Sequence, residues 1–168
     1  MSKRSLELFS LGADLLGPDV GMQELYAFIE AALDELVGFK LLTILKLEGQ
    51  RLHRMYSSDL RSYPVRGVKD IAGDAWLQAM LDAGQPIVSG DPILVRQRFR
   101  DHDAIFSLGC GAVMNVPIRS GTGTLGSVNL LHEAGWFNRE HVVLARPFVA
   151  LLAVAWSALS PGYPVKSL

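Results

Sequence analysis

The sequence contains a single cysteine, Cys110, among its 168 residues. One cysteine cannot form a disulfide within the chain, nor can it supply the several thiolates of a structural zinc site. Disulfides are typical of small domains in oxidising compartments, so this composition fits a reducing compartment. We therefore expect a cytoplasmic protein.

Neither sign of charge is in clear excess, because 16 basic residues face 17 acidic ones and the formal net charge is −1. Proteins that bind nucleic acids usually carry a basic patch that matches the phosphate backbone. The densest basic group, Arg96, Arg98 and Arg100, is interrupted and is followed by Asp101 and Asp103. The sequence therefore predicts no nucleic-acid partner.

No apolar run has the length of a membrane span. The longest, from Pro147 to Leu159, has 13 residues, whereas a spanning helix needs about 20. Near the N-terminus, Glu7 and Asp14 interrupt the apolar positions, and no small-residue cleavage site of a signal peptide follows. We expect a soluble protein without a membrane partner.

Catalytic signatures are missing as well. The sequence has no Ser-His-Asp order, paired-carboxylate motif, HExxH motif or P-loop. Cys110 lies between two glycines, where backbone amides could lower the pKa of its thiol. A small buried thiol is the simpler interpretation, and we assign no catalytic or metal-binding residue.

The first half of the chain predicts two helices and a hairpin. Helical spacing of apolar residues indicates a helix over 4–16 and a second one capped by Asp19 and ended by Gly38. The period then changes to that of strands, and Gly49-Gln50 fits a two-residue turn between two of them. A short helix ending at Gly84 and a short edge strand, "QPIVSG", follow.

The second half predicts a lid, a hairpin and a long helix. Residues 92–108 show irregular helical character, typical of a lid. Two strands, "GAVMNVPIRS" and "TLGSVNLLHE", are joined by the loop 120–124. Asn138 is predicted to cap a helix to about Leu159, and we expect residues 160–168 to form a flexible tail. This order of elements predicts an α+β fold, with a mainly antiparallel sheet and helices on its faces.

The predicted hairpin also sorts its side chains between two faces. A symmetric loop sets Arg119 opposite Leu125 and Asn115 opposite Asn129, and facing residues project to one side of the sheet. One face is then wholly apolar: Met114, Val116, Ile118, Val128 and Leu130. The other contains Val113, Asn115, Pro117, Ser127, Asn129 and Leu131. Buried without partners, these polar groups would each cost about 1–3 kcal/mol, so they either satisfy one another or serve a bound molecule.

The stretch from 108 to 155 resembles the C-terminal half of a GAF domain. The matching features are Gly109 before the strand, "VPI" at 116–118, Gly126 in "LGSVNL" and Phe137 before the last helix. With "DAWLQAMLDAGQPIVSGD" upstream, the resemblance covers residues 4–159. It implies one GAF-like domain over 1–159, with a GAF/PAS-like sheet of about six strands. The terminal helices would lie on one face and a ligand pocket on the other.

The resemblance places that pocket beneath residues 72–108. Aromatic side chains there could line it, although aromatic residues at such spacings more often belong to a core. The candidate ligand-binding residues are Tyr56, Trp76, Phe99, His102, Phe106, Cys110, Asn115, Ser127 and Asn129. The identity of the ligand or cofactor is not predicted.

Known activities of the family can be compared with single positions of this sequence. Cyclic-nucleotide-binding members carry an Asn-Lys pair, a Phe and an Asp-Glu pair, and of these only Phe137 is present, so no cyclic nucleotide is expected. The position that carries the bilin-attaching cysteine of phytochromes is His102, so no covalent bilin is expected. Free methionine sulfoxide reductases need a second, resolving cysteine. None of the four histidines lies in a motif that selects haem iron.

The combined expectation is a sensory or regulatory domain that binds a small molecule and signals through its terminal helices. The last helix is apolar almost all round, and one sheet face can cover only one side of it. We expect a homodimer through residues 4–16 and 138–159, with a downstream protein partner as a possible output. Two alternatives stay open: a small-substrate enzyme, such as a thiol-based reductase using Cys110, and a ligand-free dimerisation module.

Overall fold

The computed structural model describes residues 2–19, 21–121 and 123–159, so the predicted tail over 160–168 lies outside the described residues. The helices are α1 (Lys3–Asp14), α2 (Met22–Leu36), α3 (Ala75–Ala83), α4 (Pro92–Arg98), α5 (His102–Ser107) and α6 (Arg139–Leu159). The strands are β1 (Leu41–Glu48), β2 (Arg51–Ser57), β3 (Val68–Asp70), β4 (Ile87–Ser89), β5 (Ala112–Ser120) and β6 (Gly123–His132).

The strands form one six-stranded sheet in the order β3-β2-β1-β6-β5-β4, and each described pairing is antiparallel. This confirms the predicted α+β class. The β1–β2 hairpin turns at Gly49, whose φ of 62° is a left-handed conformation that suits glycine. Strand β4 lies at the edge of the sheet, as its short proline-led sequence predicts.

The β5–β6 hairpin confirms the predicted pairing of Asn115 with Asn129. The turn itself is tighter than predicted, because Arg119 pairs with Thr124 instead of Leu125. A register shift between Ile118 and Arg119 absorbs the difference. This shift is a β-bulge, and it leaves Asn115 opposite Asn129, as the symmetric loop predicts.

The helices α1, α2 and α6 cover one face of the sheet. The apolar side chains predicted for that face are buried there with α2 and α6: Met114, Val116, Ile118, Val128 and Leu130. Asn138 caps α6 as predicted, since its Oδ1 accepts a 3.1 Å hydrogen bond from the His141 N–H. The prediction of Asp19 as the cap of α2 was wrong, because that helix begins after Gly21 without a side-chain cap.

Helix α6 is longer than its apolar run, because it begins at Arg139 and spans 21 residues. By length and composition alone it is the one described helix that could cross a membrane. Its buried side chains, including Phe148 and Leu152 at 0% exposure, belong to the core between the sheet and α2. The core helix of a soluble domain meets the same criteria of length and composition.

The helices α3, α4 and α5 lie on the opposite face. Residues 92–108 contain α4 and α5, which confirms their predicted helical character. The apolar packing on this side is divided into two separate clusters, one around Val95, Ile105 and Cys110 and the other around Leu77 and Met80. Between the helices and the sheet, this divided core leaves room for a cavity.

Candidate ligand-binding site

A cavity of about 310 Å³ lies between the sheet and the helices α3–α5. We call it the inner cavity. Strands β1, β5 and β6 supply its floor, and α3 together with the α4–α5 segment supplies its cover. Most of its walls are apolar: Leu41, Leu45, Leu52, Leu77, Met80, Ile105, Val113 and Leu131.

Two aromatic rings form one wall of the inner cavity. Trp76, in the first turn of α3, and Phe99, at the end of α4, meet edge to face with their ring centroids 5.0 Å apart. Asp74 fixes the start of α3, because its Oδ1 accepts a 3.0 Å hydrogen bond from the Leu77 N–H. The two rings give this wall an aromatic, apolar surface.

A row of polar side chains crosses the floor. Asn115 Nδ2 donates a 2.8 Å hydrogen bond to Asn129 Oδ1, and Asn129 Nδ2 donates one of 3.2 Å to Thr43 Oγ1. The three residues lie side by side on β5, β6 and β1, since Asn129 pairs with both Asn115 and Thr43. They are at most 7% exposed, so the row is shielded from bulk solvent.

Two polar atoms of this floor lack a hydrogen-bond partner among the described residues. They are Oδ1 of Asn115 and Oγ of Ser127, and both residues line the inner cavity. Asn115 is 4% exposed and Ser127 is 1% exposed. A buried polar group without a partner costs about 1–3 kcal/mol, and a hydrogen-bonding molecule in the cavity would remove that cost.

Charged groups meet at the edge of the inner cavity. Tyr63 Oη donates a 3.0 Å hydrogen bond to Asp101 Oδ2, and Lys69 Nζ lies 3.4 Å from Asp101 Oδ1. We call Tyr63, Lys69 and Asp101 the rim clasp. Burial by itself would raise the pKa of Asp101, but the Lys69 charge and the Tyr63 hydroxyl outweigh it, and the net pKa lies below the ordinary value. Burial, followed by the Asp101 charge, raises the pKa of Tyr63.

The structure brings five of the nine predicted site residues together around the inner cavity: Trp76, Phe99, Asn115, Ser127 and Asn129. Trp76 and Phe99 come from the helical cover and the other three from one hairpin, so the β5–β6 register and the packing of the cover together define the site. Their role in binding stays a prediction.

Tyr56 lies on the opposite face, so its predicted position in the pocket was wrong. Its hydroxyl donates to the Glu30 carboxylate of α2, and its ring lies 5.7 Å from that of Tyr26. The physical reason is a bulge at Met55: Ile44 pairs with Tyr56, whereas the next residue of β1, Leu45, pairs with Arg54. The bulge turns Arg54 toward the cavity and Tyr56 toward the helices, and burial raises the pKa of Tyr56 to about 12.

The other predicted residues lie beside the inner cavity. Cys110 is buried next to Val95 and Ile105, and burial raises the pKa of its thiol, against a smaller opposing effect of Lys40. This environment fits the small buried thiol that the sequence favours, and the lowering of its pKa that neighbouring amides could cause is not seen. His102 Nδ1 lies 2.9 Å from the Phe99 carbonyl oxygen, and its ring packs 5.9 Å from that of Phe106.

Several residues that line the inner cavity were not predicted from the sequence, including Thr43, Arg54 and the rim clasp. Thr43 is an isolated threonine in an apolar strand, and its role depends on the β1–β6 register, which no local pattern encodes. Lys69 and Asp101 are 32 positions apart. The one signal in the sequence was a polar residue, Thr43, within the apolar strand β1.

Residues 7–156 match the family profile of the GAF domain. The chain belongs to the GAF domain family. GAF domains are sensory and regulatory domains of kinases and photoreceptors. No curated protein matches the sequence.

Solved structures of GAF domains share the fold. The GAF domain of a two-component sensor histidine kinase from Bacillus halodurans is 15% identical with a TM-score of 0.71, over 82% of this chain and 95% of that one. The GAF domain of an Acinetobacter phosphoenolpyruvate-protein phosphotransferase is 14% identical with a TM-score of 0.72, over 98% and 99%. The chromophore-binding domain of a Stigmatella aurantiaca bacteriophytochrome is 12% identical with a TM-score of 0.68, over 93% and 60%.

Proposed function

We propose that this GAF domain is a cytoplasmic regulatory module that binds a small molecule in the inner cavity. The observation that carries the proposal is the pair of buried polar atoms on the floor, Asn115 Oδ1 and Ser127 Oγ, which have no partner among the described residues. A floor built only for stability would pair these atoms or replace them with apolar groups. Their position inside a cavity of about 310 Å³ favours a ligand of modest size.

The lining defines the chemistry of that ligand. Asn115 Oδ1 accepts hydrogen bonds, so the ligand would present an N–H or O–H group to the floor. The hydroxyl of Ser127 can either donate or accept. Trp76 and Phe99 favour a flat or apolar portion above those groups.

Native mass spectrometry of the protein as purified tests this proposal. We expect a bound small molecule on the wild-type chain and its loss from a double variant, Asn115→Leu with Asn129→Leu. A matched control is Met114→Leu, which alters the same strand on its helix-covered face. Retention of the molecule by the double variant, together with a large loss of stability, would show that the asparagines serve the architecture alone.

We further propose that the output is transmitted by a homodimer of the terminal helices to a partner protein. On α1, Leu6 and Leu11 are each 53% exposed, and on α6, Val143 is 60% and Val154 is 54% exposed. Two copies of each helix would cover these side chains in a four-helix arrangement across a two-fold axis. Helices α1 and α6 are in contact within one chain, so the four side chains lie on adjacent elements.

Analytical ultracentrifugation at micromolar concentration tests the dimer. We expect twice the chain mass for the wild type and a single chain for Leu11→Glu with Val154→Glu. Leu60→Glu, at a similarly exposed leucine outside the terminal helices, should remain dimeric. A monomeric wild type would contradict the proposed signalling route.

A further inference from the structure

A second depression, of about 280 Å³, adjoins the inner cavity. We call it the outer depression. The two share five lining residues, Asp74, Trp76, Arg98, Phe99 and Arg100, so the aromatic pair is a wall common to both. The outer depression is also lined by Arg96 and His102, and the only carboxylate among its lining residues is that of Asp74. Three guanidinium groups and one carboxylate therefore line the outer depression.

The arginines are held in place by contacts that use few of their donors. Arg98 donates a 2.9 Å hydrogen bond to the buried Ser89 Oγ, and its guanidinium carbon lies 5.7 Å from the Trp76 ring centre. Arg100 donates a 2.8 Å hydrogen bond to the Gly73 carbonyl oxygen. A guanidinium has five N–H donors, so each group keeps donors for an oxygen anion.

The third arginine is positioned by an aromatic ring. The guanidinium carbon of Arg96 lies 5.3 Å from the centre of the Phe106 ring. A guanidinium within cation–π range of a ring keeps all of its N–H donors, whose fork geometry matches a carboxylate or phosphate. Phe106, one of the predicted ligand-binding residues, would thus act through Arg96.

The carboxylate of Asp74 is already engaged. Its Oδ1 caps the Leu77 N–H, and its Oδ2 lies 3.7 Å from Arg100 Nε. The backbone N–H groups of Ala75 and Trp76 belong to the first turn of α3, where an α-helix offers them no internal partner. Since Ala75 and Trp76 line the outer depression, the positive end of the helix adds to the field of the arginines.

We propose that the outer depression binds the phosphate or carboxylate group of the same molecule whose flat part occupies the inner cavity. This inference rests on the proposed function and narrows the ligand class to organic anions. The flat part would lie on Trp76 and Phe99 above the asparagine floor, and the acidic group would reach Arg96, Arg98 and Arg100 past the shared wall. A neutral ligand would leave the arginine group unused.

A ¹H–¹⁵N NMR titration of the full chain with inorganic phosphate, against chloride at constant ionic strength, tests the anion site. We expect the largest shifts at the amides of Ala75, Trp76 and His102. The dissociation constant should rise about tenfold in a double variant, Arg96→Gln with Arg100→Gln, because hydrogen bonds to charged groups are lost. Arg96→Lys retains the charge and should lose less affinity.

Arg139→Gln is the matched control, because Arg139 is an exposed arginine at the start of α6, which packs on the other face of the sheet. It should bind phosphate as the wild type does. Equal phosphate affinity in the wild type and the Arg96→Gln, Arg100→Gln variant would overturn the proposed site. So would an equal loss in Arg139→Gln, because that result indicates non-specific attraction.

Native mass spectrometry separates this inference from the proposed function. We expect the molecule that co-purifies with the wild type to be an acid and to be lost from the Arg96→Gln, Arg100→Gln variant. A neutral molecule that this variant retains would overturn the inference and leave the proposed function intact. If native mass spectrometry finds no small molecule on wild-type protein that still binds phosphate, the proposed function is overturned. The inference that one molecule occupies both the inner cavity and the outer depression is then overturned as well.

Discussion

Asn115 faces Asn129 directly across the β5–β6 ladder, and its Nδ2 donates a 2.8 Å hydrogen bond to the Asn129 Oδ1. A single described hydrogen bond thus joins the two amides, with Asn115 as the donor and Asn129 as the acceptor. Asn129 is engaged at both ends of its amide, since its Nδ2 also donates to Thr43, whereas the Oδ1 of Asn115 has no described partner. The amide of Asn129 is therefore paired within the sheet, whereas Asn115 lines the inner cavity with an unpaired acceptor.

The two asparagines should differ in what they contribute to stability. Asn129→Leu removes two hydrogen bonds and leaves the Asn115 amide unpaired, so we expect a loss of about 1–3 kcal/mol in the free energy of unfolding. Asn115→Leu removes one bond and leaves Asn129 Oδ1 without its donor, but it also removes an acceptor that is already unpaired, so it should cost less. Urea denaturation of ligand-free protein measures both values. A greater loss of stability in Asn115→Leu than in Asn129→Leu would contradict the hydrogen bonds of the polar row.

Gly126 should tolerate no side chain. A Cβ at this position would lie 2.0 Å from the backbone oxygen of Leu45 on the neighbouring strand, and a paired backbone cannot move aside. We expect Gly126→Ala to destabilise the fold by about 2–3 kcal/mol or to separate β1 from β6. Gly121→Ala, where an added Cβ meets nothing within 4 Å, is the control in thermal denaturation. Equal melting temperatures for the two variants would count against this strand register.

The rim clasp should make stability sensitive to acid. The pKa of Asp101 is lower in the folded protein than its ordinary value, which is about 3.9 in an unfolded chain. The ionised carboxylate therefore stabilises the fold fully above that value, and its contribution is lost as the pH falls through the lower folded pKa. Asp101→Asn should remove this component between about pH 5 and pH 2, as measured by urea denaturation at each pH. An unchanged pH profile in the variant would contradict the clasp.

Cys110 should react slowly with iodoacetamide in the folded protein. It is 4% exposed, and burial raises the pKa of its thiol, so both access and thiolate population are reduced. At pH 8 we expect at least about tenfold slower alkylation than after unfolding in urea. Rapid stoichiometric labelling of native protein would instead support the alternative of a thiol-based enzyme that uses Cys110.

Local chemistry made much of the fold predictable. Gly49 and Gly84 lie where left-handed φ angles are needed, and Asn138 caps the last helix, so short-range patterns located a turn, a helix end and a helix start. Asp19 failed as a cap because α2 begins three residues later, after Gly21. A capping residue predicts a helix start only when the backbone of that residue adopts the flanking geometry.

The candidate site was predictable only where it depends on alternation within one hairpin. Asn115, Ser127 and Asn129 share the cavity face because the bulge near Arg119 leaves their register unchanged. Tyr56 was misplaced because the bulge at Met55 reverses the faces of β2, and a one-residue bulge carries no clear sequence signal.

The sequence by itself determined the class of fold, the two hairpins and the sorting of β5 and β6 into an apolar and a polar face, because periodicity and turn chemistry act over a few residues. Only the tertiary structure decided that Thr43 would complete the polar row and that Tyr63 and Lys69 would meet Asp101. It also decided that Arg98 and Arg100 would line the inner cavity. These contacts join residues far apart in the chain. Their geometry depends on strand order, bulges and helix packing, which arise only when the whole core forms.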